Sequence, residues 1–327
     1  MPFRLTVPLV FLGLAVGGSY VELGAAPSPA APAIMALRSA QPPAQGGTLP
    51  AQWDAGNDCA TELDYQVHAY NEDFYVIRQS KCINFEAPFL YLIFGDRAAL
   101  LMDTGASPGA PVYDTVMRVI AARAQAKGEP APPLVVAHSH GHGDHVAGDG
   151  QFIGQPGVAA VIGTSLAQVR DFWGFQSWPH DVPTFDLGGR ILDVIATPGH
   201  ATGSVTLYDR RTQLLLTGDI VYPGHLFVFS PAAWGRFEAS LERLVTFARQ
   251  NPVRWVLGCH IETSNTPFAP YRWGRAQHPD ERRLEFAPSK LSDIYRAALS
   301  MGGAPECTIF EDFVIHPVYL CGITWNG

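Results

Sequence analysis

The chain has 327 residues, of which 47% are hydrophobic and only 16% charged, so it can bury a sizeable core and is not a disordered chain. Its 22 Lys and Arg against 30 Asp and Glu give a formal charge of −8, and no basic run is present, which argues against a nucleic-acid partner. Five Cys without CxxC spacing remove zinc-ribbon and thioredoxin-type readings.

In chain order, Arg4 precedes an uncharged stretch over residues 5–20, followed by the small residues Gly24-Ala25-Ala26 and Ala31-Pro32-Ala33. A positive start, a short apolar core and small residues describe a secretory signal peptide, residues 1–30. The apolar core falls short of the roughly 20 residues that span a bilayer, and three Gly weaken it further as a membrane helix. Export to the periplasm or medium is therefore expected, with no membrane partner after cleavage. Residues 31–57 are rich in Pro, Ala, Gly and Gln and read as a flexible linker. In an oxidising compartment Cys59, Cys82, Cys307 and Cys321 can pair. Of the three connectivities, the local pairs Cys59–Cys82 and Cys307–Cys321 are favoured, leaving Cys259 over.

From residue 58 the pattern is that of a catalytic domain. Strands are predicted at residues 65–67, 74–77 and 89–94, then a hairpin turn at Gly95-Asp96 into residues 98–102, ending at Asp103-Thr104-Gly105. A helix over residues 110–126 follows, stopped by Gly128 and Pro130, then the buried strand Leu134-Val135-Val136-Ala137 and a His-rich loop. The second half repeats this grammar: strands at 191–196, 204–208 and 213–216, Thr217-Gly218-Asp219, a helix over 237–250, a strand at 255–257, and Gly258-Cys259-His260. Short continuous apolar runs suit strands covered on both faces. Two such halves packed sheet to sheet give an α/β protein, a four-layer αββα sandwich with its polar loops converging on one edge.

The loop after Ala137 contains His140-x-His142-x-Asp144-His145. Two His at i and i+2 in extended backbone point the same way and can reach one metal. Asp144 and His145 can turn to a second, and Gly141 and Gly143 let the backbone bend.

These residues resemble the metallo-β-lactamase superfamily over roughly residues 65–262. Five segments match in order: Leu101-Met102-Asp103-Thr104-Gly105, His140 to His145, Thr197-Pro198-Gly199-His200, Thr217-Gly218-Asp219 and Gly258-Cys259-His260. The resemblance implies the four-layer sandwich and two metals, with His140, His142 and His200 on one, Asp144, His145 and His260 on the other, and Asp219 bridging them. Two zinc ions are the default, with iron or manganese as alternatives. Asp103 is given an accepting role behind a ligating His, fixing its tautomer. A metal-bridging hydroxide, oriented by Asp144, would attack an acyl carbonyl.

The Asp at position 219 resembles the glyoxalase II-like and lactonase-like branches, which implies an ester, thioester or lactone hydrolase acting on a small molecule. The alternatives are an exported class B-type β-lactamase, a mononuclear-iron sulfur dioxygenase, and a catalytically idle metal-binding module. Tyr222 and His225 are candidate donors to a developing oxyanion. The aromatics of residues 171–179, Phe227, Phe229, Tyr271 and Trp273 either line a substrate pocket or pack as a secondary core. His138 is expected to pack under the loop. The extension 263–327 is expected to pack on the same domain, with a helix over 288–301 and alternating residues over 307–319. No oligomeric state follows from the sequence.

Overall fold

The alternating faces of a few apolar strands decide the architecture. In the computed structural model, which describes residues 45–324, six strands form the first sheet in chain order. They are β1 (Tyr65–Asn71), β2 (Phe74–Gln79), β3 (Phe89–Phe94), β4 (Ala99–Met102), β5 (Leu134–Ala137) and β6 (Val158–Val161). Every residue of β3 is buried. Leu90, Leu92 and Phe94 pack outward against Val112, Val116 and Ile120 of α1 (Val112–Lys127), whereas Phe89, Tyr91 and Ile93 pack inward. A strand covered on both faces needs no polar alternation, which is why it reads as one apolar run. Neighbours β1 to β4 are antiparallel, but β4 and β5 are parallel and need the crossover that α1 supplies. Two short helices follow, α2 (Gly143–Val146) and α3 (Leu166–Trp173).

The second half repeats this logic with β7 (Thr184–Asp186), β8 (Ile191–Ala196), β9 (Val205–Asp209) and β10 (Leu214–Gly218). After β11 (His225–Val228), helix α4 (Pro231–Gln250) carries the chain across to β12 (Trp255–Gly258), which pairs parallel with β10. With β13 (Glu285–Phe286) at the edge, the order is β13-β12-β10-β9-β8-β7. Leu192, Val194, Leu207, Leu214 and Leu216 meet the inward residues of the first sheet in one core. On the outer face, Phe237, Leu241 and Leu244 of α4 and Leu291 and Ile294 of α5 (Ser289–Met301) cover Ile195, Tyr208 and Leu215. The layers are therefore helix, sheet, sheet, helix, as the sequence predicts. Asp103 and Asp219 follow the first strand of each parallel pair, and the His loops follow the second.

Several details differ from expectation. Helix α4 begins six residues earlier than the predicted 237, at Pro231, whose fixed φ suits a first helical position. The extension adds β13 to the second sheet, and β14 (Thr308–Ile309) and β15 (Val314–Pro317) to a third sheet of order β11-β15-β14, before α6 (Val318–Cys321). The predicted signal peptide and the start of the predicted linker lie outside the described residues. From residue 45 the linker expectation is corrected: Gln45 N–H donates to the Arg211 carbonyl at 2.8 Å, and Trp53 is buried with its ring 4.9 Å from that of Phe89. A single large aromatic supplied the buried area that the Pro/Ala/Gly composition concealed. The aromatics of residues 171–179 divide likewise, for Trp173 and Phe175 are buried in the core between the sheets.

Cys59–Cys82 and Cys307–Cys321 form disulfides with Cα–Cα distances of 5.4 and 6.3 Å, and Cys259 is free and buried. Disulfides are compatible with export. Among the described residues no helix is long and apolar enough to cross a membrane.

Candidate metal centre

The loops leaving β5, β8, β10 and β12 bring seven side chains together. His140, His142 and His200 offer nitrogens within 4.8 Å of one another, and Asp144, His145, Asp219 and His260 form a second group on the same criterion. Within the first, His142 Nδ1 lies 3.0 Å from His140 Nε2 and 2.9 Å from His200 Nε2. Within the second, Asp144 Oδ2 lies 3.0 Å from His145 Nε2 and 3.2 Å from His260 Nε2. Asp219 Oδ2 stands between the groups, 3.3 and 3.4 Å from His145 and His260, and 3.6 and 3.9 Å from His200 and His140.

Local structure explains how the loops reach this point. His142 has extended backbone and caps α2, whose single turn presents Asp144 and His145. Gly141 is required by space, since a Cβ there would lie 2.6 Å from Thr164 Oγ1. At Gly199 a Cβ would lie 2.6 Å from the Phe237 Cα, so only glycine lets this loop run against α4. His200 is thereby placed by the helix that covers the sheet.

The tautomers follow from the outer hydrogen bonds. His200 Nδ1 is 3.0 Å from the Phe227 carbonyl, and His260 Nδ1 is 2.9 Å from the Glu86 carbonyl. A carbonyl oxygen only accepts, so in both rings Nδ1 carries the hydrogen and Nε2 turns a lone pair inward. His145 does the same through Asp103 Oδ2 at 2.9 Å. Asp103 is fully buried at φ +70° and also accepts from Ser139 N at 2.7 Å and from Ser139 Oγ at 2.8 Å. Asp103 thus stands behind a ring of the cluster.

The donor set fits divalent cations. Inward lone pairs crowd together at separations near those of nitrogens sharing one ion at about 2.0–2.1 Å. Asp219 Oδ1 is buried with no hydrogen-bond partner, an acceptor left over for an ion. Burial would lower the His145 and His260 imidazoles, but Asp144 and Asp219 outweigh it and push both well above their ordinary value, so a cation bound there displaces a proton from each ring. Burial pushes His200 down to about 4, keeping its imidazole neutral as a ligand must be. Burial would raise Asp219, but His260 and His145 outweigh it and hold the carboxyl well below its ordinary range. The same contest, with His145 and His260 prevailing, keeps Asp144 ionised.

Two of the sequence-predicted residues are corrected. The Tyr222 hydroxyl donates to the His225 carbonyl, which uses its only hydrogen. His225 is fully buried, with Nδ1 3.0 Å from His316 Nδ1 and Nε2 3.1 Å from the Tyr271 carbonyl. The β11–β15 pairing draws His225 into the third sheet, and neither side chain offers a free donor to substrate. His138 packs under the loop as expected, its Nε2 2.8 Å from Asp149 Oδ1. Sequence reading missed Ser139, although it sits between two His of the loop, and Glu86, whose residue type carried no signal. Burial and then the neighbouring Asp144 push the Glu86 carboxyl up to about 7. A cavity of about 60 Å³ lies over the cluster, walled by Phe227, Phe229, Trp273 and Ile323.

Comparison with known proteins agrees with this geometry. The family model of the metallo-beta-lactamase superfamily matches residues 84–260, more than half of the chain. The acyl-coenzyme A thioesterase MBLAC2 of Bos taurus is 26% identical over 204 residues, covering 53% of this chain and 73% of that protein. The hydroxyacylglutathione hydrolase of Acidiphilium cryptum (strain JF-5) is 32% identical over 175 residues, covering 52% of this chain and 64% of its own. Among solved structures, a metallo-beta-lactamase from Pontibacter korlensis superposes with a TM-score of 0.45 at 16% identity, covering 72% of this chain and 99% of its own. The family implies divalent metal ions, and the family match spans every residue of the two clusters. The chain therefore belongs to the metallo-beta-lactamase superfamily and is a metal-dependent hydrolase of it.

Proposed function

We propose that the protein is an exported hydrolase that cleaves an ester, thioester or lactone with two metal ions. The observation that carries this reading is the position of Asp219 Oδ2 between the two clusters, within 3.3–3.9 Å of four imidazoles. A carboxylate so placed suits a bridging ligand, with His140, His142 and His200 on one side and Asp144, His145 and His260 on the other. The relatives named as a thioesterase and a hydroxyacylglutathione hydrolase support acyl transfer to water. When bound, the cations supply Lewis-acid polarisation of the acyl carbonyl and a lowered pKa for water; zinc suits the donor set, and iron or manganese are alternatives.

The chain's own residues do the rest. Asp144 lines the cavity and is held ionised, so it orients the attacking water and accepts its proton. Asp103 keeps the His145 ring in one tautomer, and the Phe227 and Glu86 carbonyls do the same for His200 and His260. Phe227, Phe229 and Trp273 exclude water around the acyl group.

The test is a substrate panel on purified, metal-analysed protein: lactones, thioesters, aryl esters and a chromogenic cephalosporin. Two equivalents of metal are expected, with thioesters or esters turned over faster than the cephalosporin. His142→Ala should retain the fold by circular dichroism and lose at least about a hundredfold in kcat/KM. Preferential cephalosporin hydrolysis, or metal-replete protein inactive across the panel, would overturn the reading.

A further inference from the structure

The metal cluster borders a second, larger cavity of about 280 Å³, which shares His142, His200 and Phe229 with the smaller one. The Phe229 ring lies 5.4 Å from that of His142 and 5.2 Å from that of His200, so one aromatic wall is common to both spaces. Their charges are opposite. Glu86, Asp144, Asp219 and Glu262 line the smaller cavity with no Lys or Arg, and Arg236 lines the larger with no Asp or Glu. Asp144 and Asp219 would face the cations, and Glu86 is pushed up to about 7, which leaves Glu262 as the smaller cavity's own full charge.

Arg236 is exposed on α4 and, among the described residues, makes no ion pair. Other arginines of the chain are engaged: Arg78 with Glu281, Arg123 with Asp73, Arg190 with Asp209, Arg210 with Asp193. An uncompensated guanidinium beside a metal cluster is a ready fork for carboxylate or phosphate. Ser230 and Ala233, from the start of α4, line the same cavity, and the Ser230 side chain forms no capping bond, so the helix end adds to the positive field.

We propose that the larger cavity receives the leaving group and that Arg236 selects esters or thioesters whose alcohol or thiol carries an anionic group. The acyl portion then occupies the smaller cavity, where aromatic walls suit apolar groups and Glu262 disfavours an acyl carboxylate. The inference rests on the ester or thioester reading above. In the reaction the water oxygen bonds to the acyl carbon and the carbon–sulfur or carbon–oxygen bond breaks. Its electron pair leaves with the sulfur or oxygen, and the water's protons pass to the departing atom and to solvent.

The test uses the thioacetates of 3-mercaptopropionate and of its methyl ester, which differ by one charge on the leaving group. Metal-loaded parent protein should favour the carboxylate about tenfold in kcat/KM, the scale of one charge-assisted contact. In Arg236→Gln that ratio should fall to near one, and in Arg236→Glu below one. Moving the charge to the acyl side, as in a succinyl thioester of a neutral thiol, should lower kcat/KM relative to its methyl ester, and by the same factor in Arg236→Gln. A carboxylate preference equal in parent and Arg236→Gln, or absent from the parent, overturns the proposal. Binding of 3-(methylthio)propionate, followed by ligand-detected NMR, is a readout independent of turnover. Binding to the parent that is lost in Arg236→Gln supports the anion subsite even if no thioester is cleaved, a result that would sink the hydrolase reading alone. Equal binding to both proteins overturns the subsite.

Discussion

Asp103 concentrates four hydrogen bonds on one carboxylate, from Ser139 N, Ser139 Oγ, His145 Nδ1 and the Cys259 thiol. The Ser139 and His145 donors belong to the loop that also carries His140 and His142, so the residue sets both a ring tautomer and a loop position. Asn tolerates the positive φ of this position but replaces one acceptor oxygen with a donor. Asp103→Asn is therefore expected to fold and to bind metal about 10- to 100-fold more weakly, measured by competition with a chromophoric chelator. Unchanged affinity would show that the His145 ring needs no such partner. At this scale the sequence was informative where function lies in side-chain chemistry. Five His and two Asp at fixed spacing announced themselves, and all seven meet. The carbonyls of Phe227 and Glu86, which orient His200 and His260, belong to every residue type and leave no trace in a sequence. Tyr222 and His225 misled for the converse reason: their chemistry suits an active site, but strand pairing spends it on backbone partners.

The ligands are carried by elements whose order makes the site. Each half runs an antiparallel pair into a parallel crossover, β3-β4-α1-β5 and β9-β10-α4-β12, so both Asp loops and both His loops leave strand ends. That periodic pattern was legible because apolar runs and turn residues are local signals. The third sheet was not, because β11 and β15 lie far apart in sequence and only their pairing defines them. Helix α4 has a further duty, for it presses on the loop that carries His200. Ser240 Oγ donates to the Pro198 carbonyl at 2.6 Å, and Arg243 Nε donates to the Ala196 carbonyl at 3.1 Å. With Phe237 Cα 2.6 Å from a Cβ at position 199, Gly199→Ala must push loop and helix apart. It should destabilise the fold by roughly 1–3 kcal/mol, the usual cost of overpacking, and weaken the site built on His200 more than that built on His260. Thermal melting combined with stepwise metal titration reads both effects. A variant that melts lower but titrates like the parent would show that α4 supports the fold without placing His200.

Across the whole molecule, the extension 263–327 is tied to the first sheet by a buried ion pair. Arg78 in β2 forms two hydrogen bonds to Glu281, at 2.6 and 2.7 Å, and His278 Nδ1 lies 2.9 Å from the same carboxylate. Burial would raise the Glu281 carboxyl, but Arg78 and His278 outweigh it and hold it below its ordinary value of 4.5. A carboxyl lowered in the folded state stabilises the fold above its unfolded pKa and loses that contribution as pH falls through the folded one. The Glu281 contribution is thus complete at neutral pH and fades below about 4.5. His278, lowered chiefly by burial, opposes folding as soon as pH falls below its ordinary 6.5, so the diagnostic window for Glu281 is the more acidic one. Glu281→Gln leaves the Arg78 guanidinium buried without its counter-charge and should lower stability at pH 7 by roughly 3–5 kcal/mol. Below pH 4.5 the parent loses what the variant never had, so the two stability curves should converge towards pH 3. Urea unfolding at intervals from pH 7 to 3 measures this directly. Curves that stay parallel through the acidic window would show that the carboxylate's charge does not hold the extension in place, and that packing of Leu284, Leu291 and Ile294 suffices.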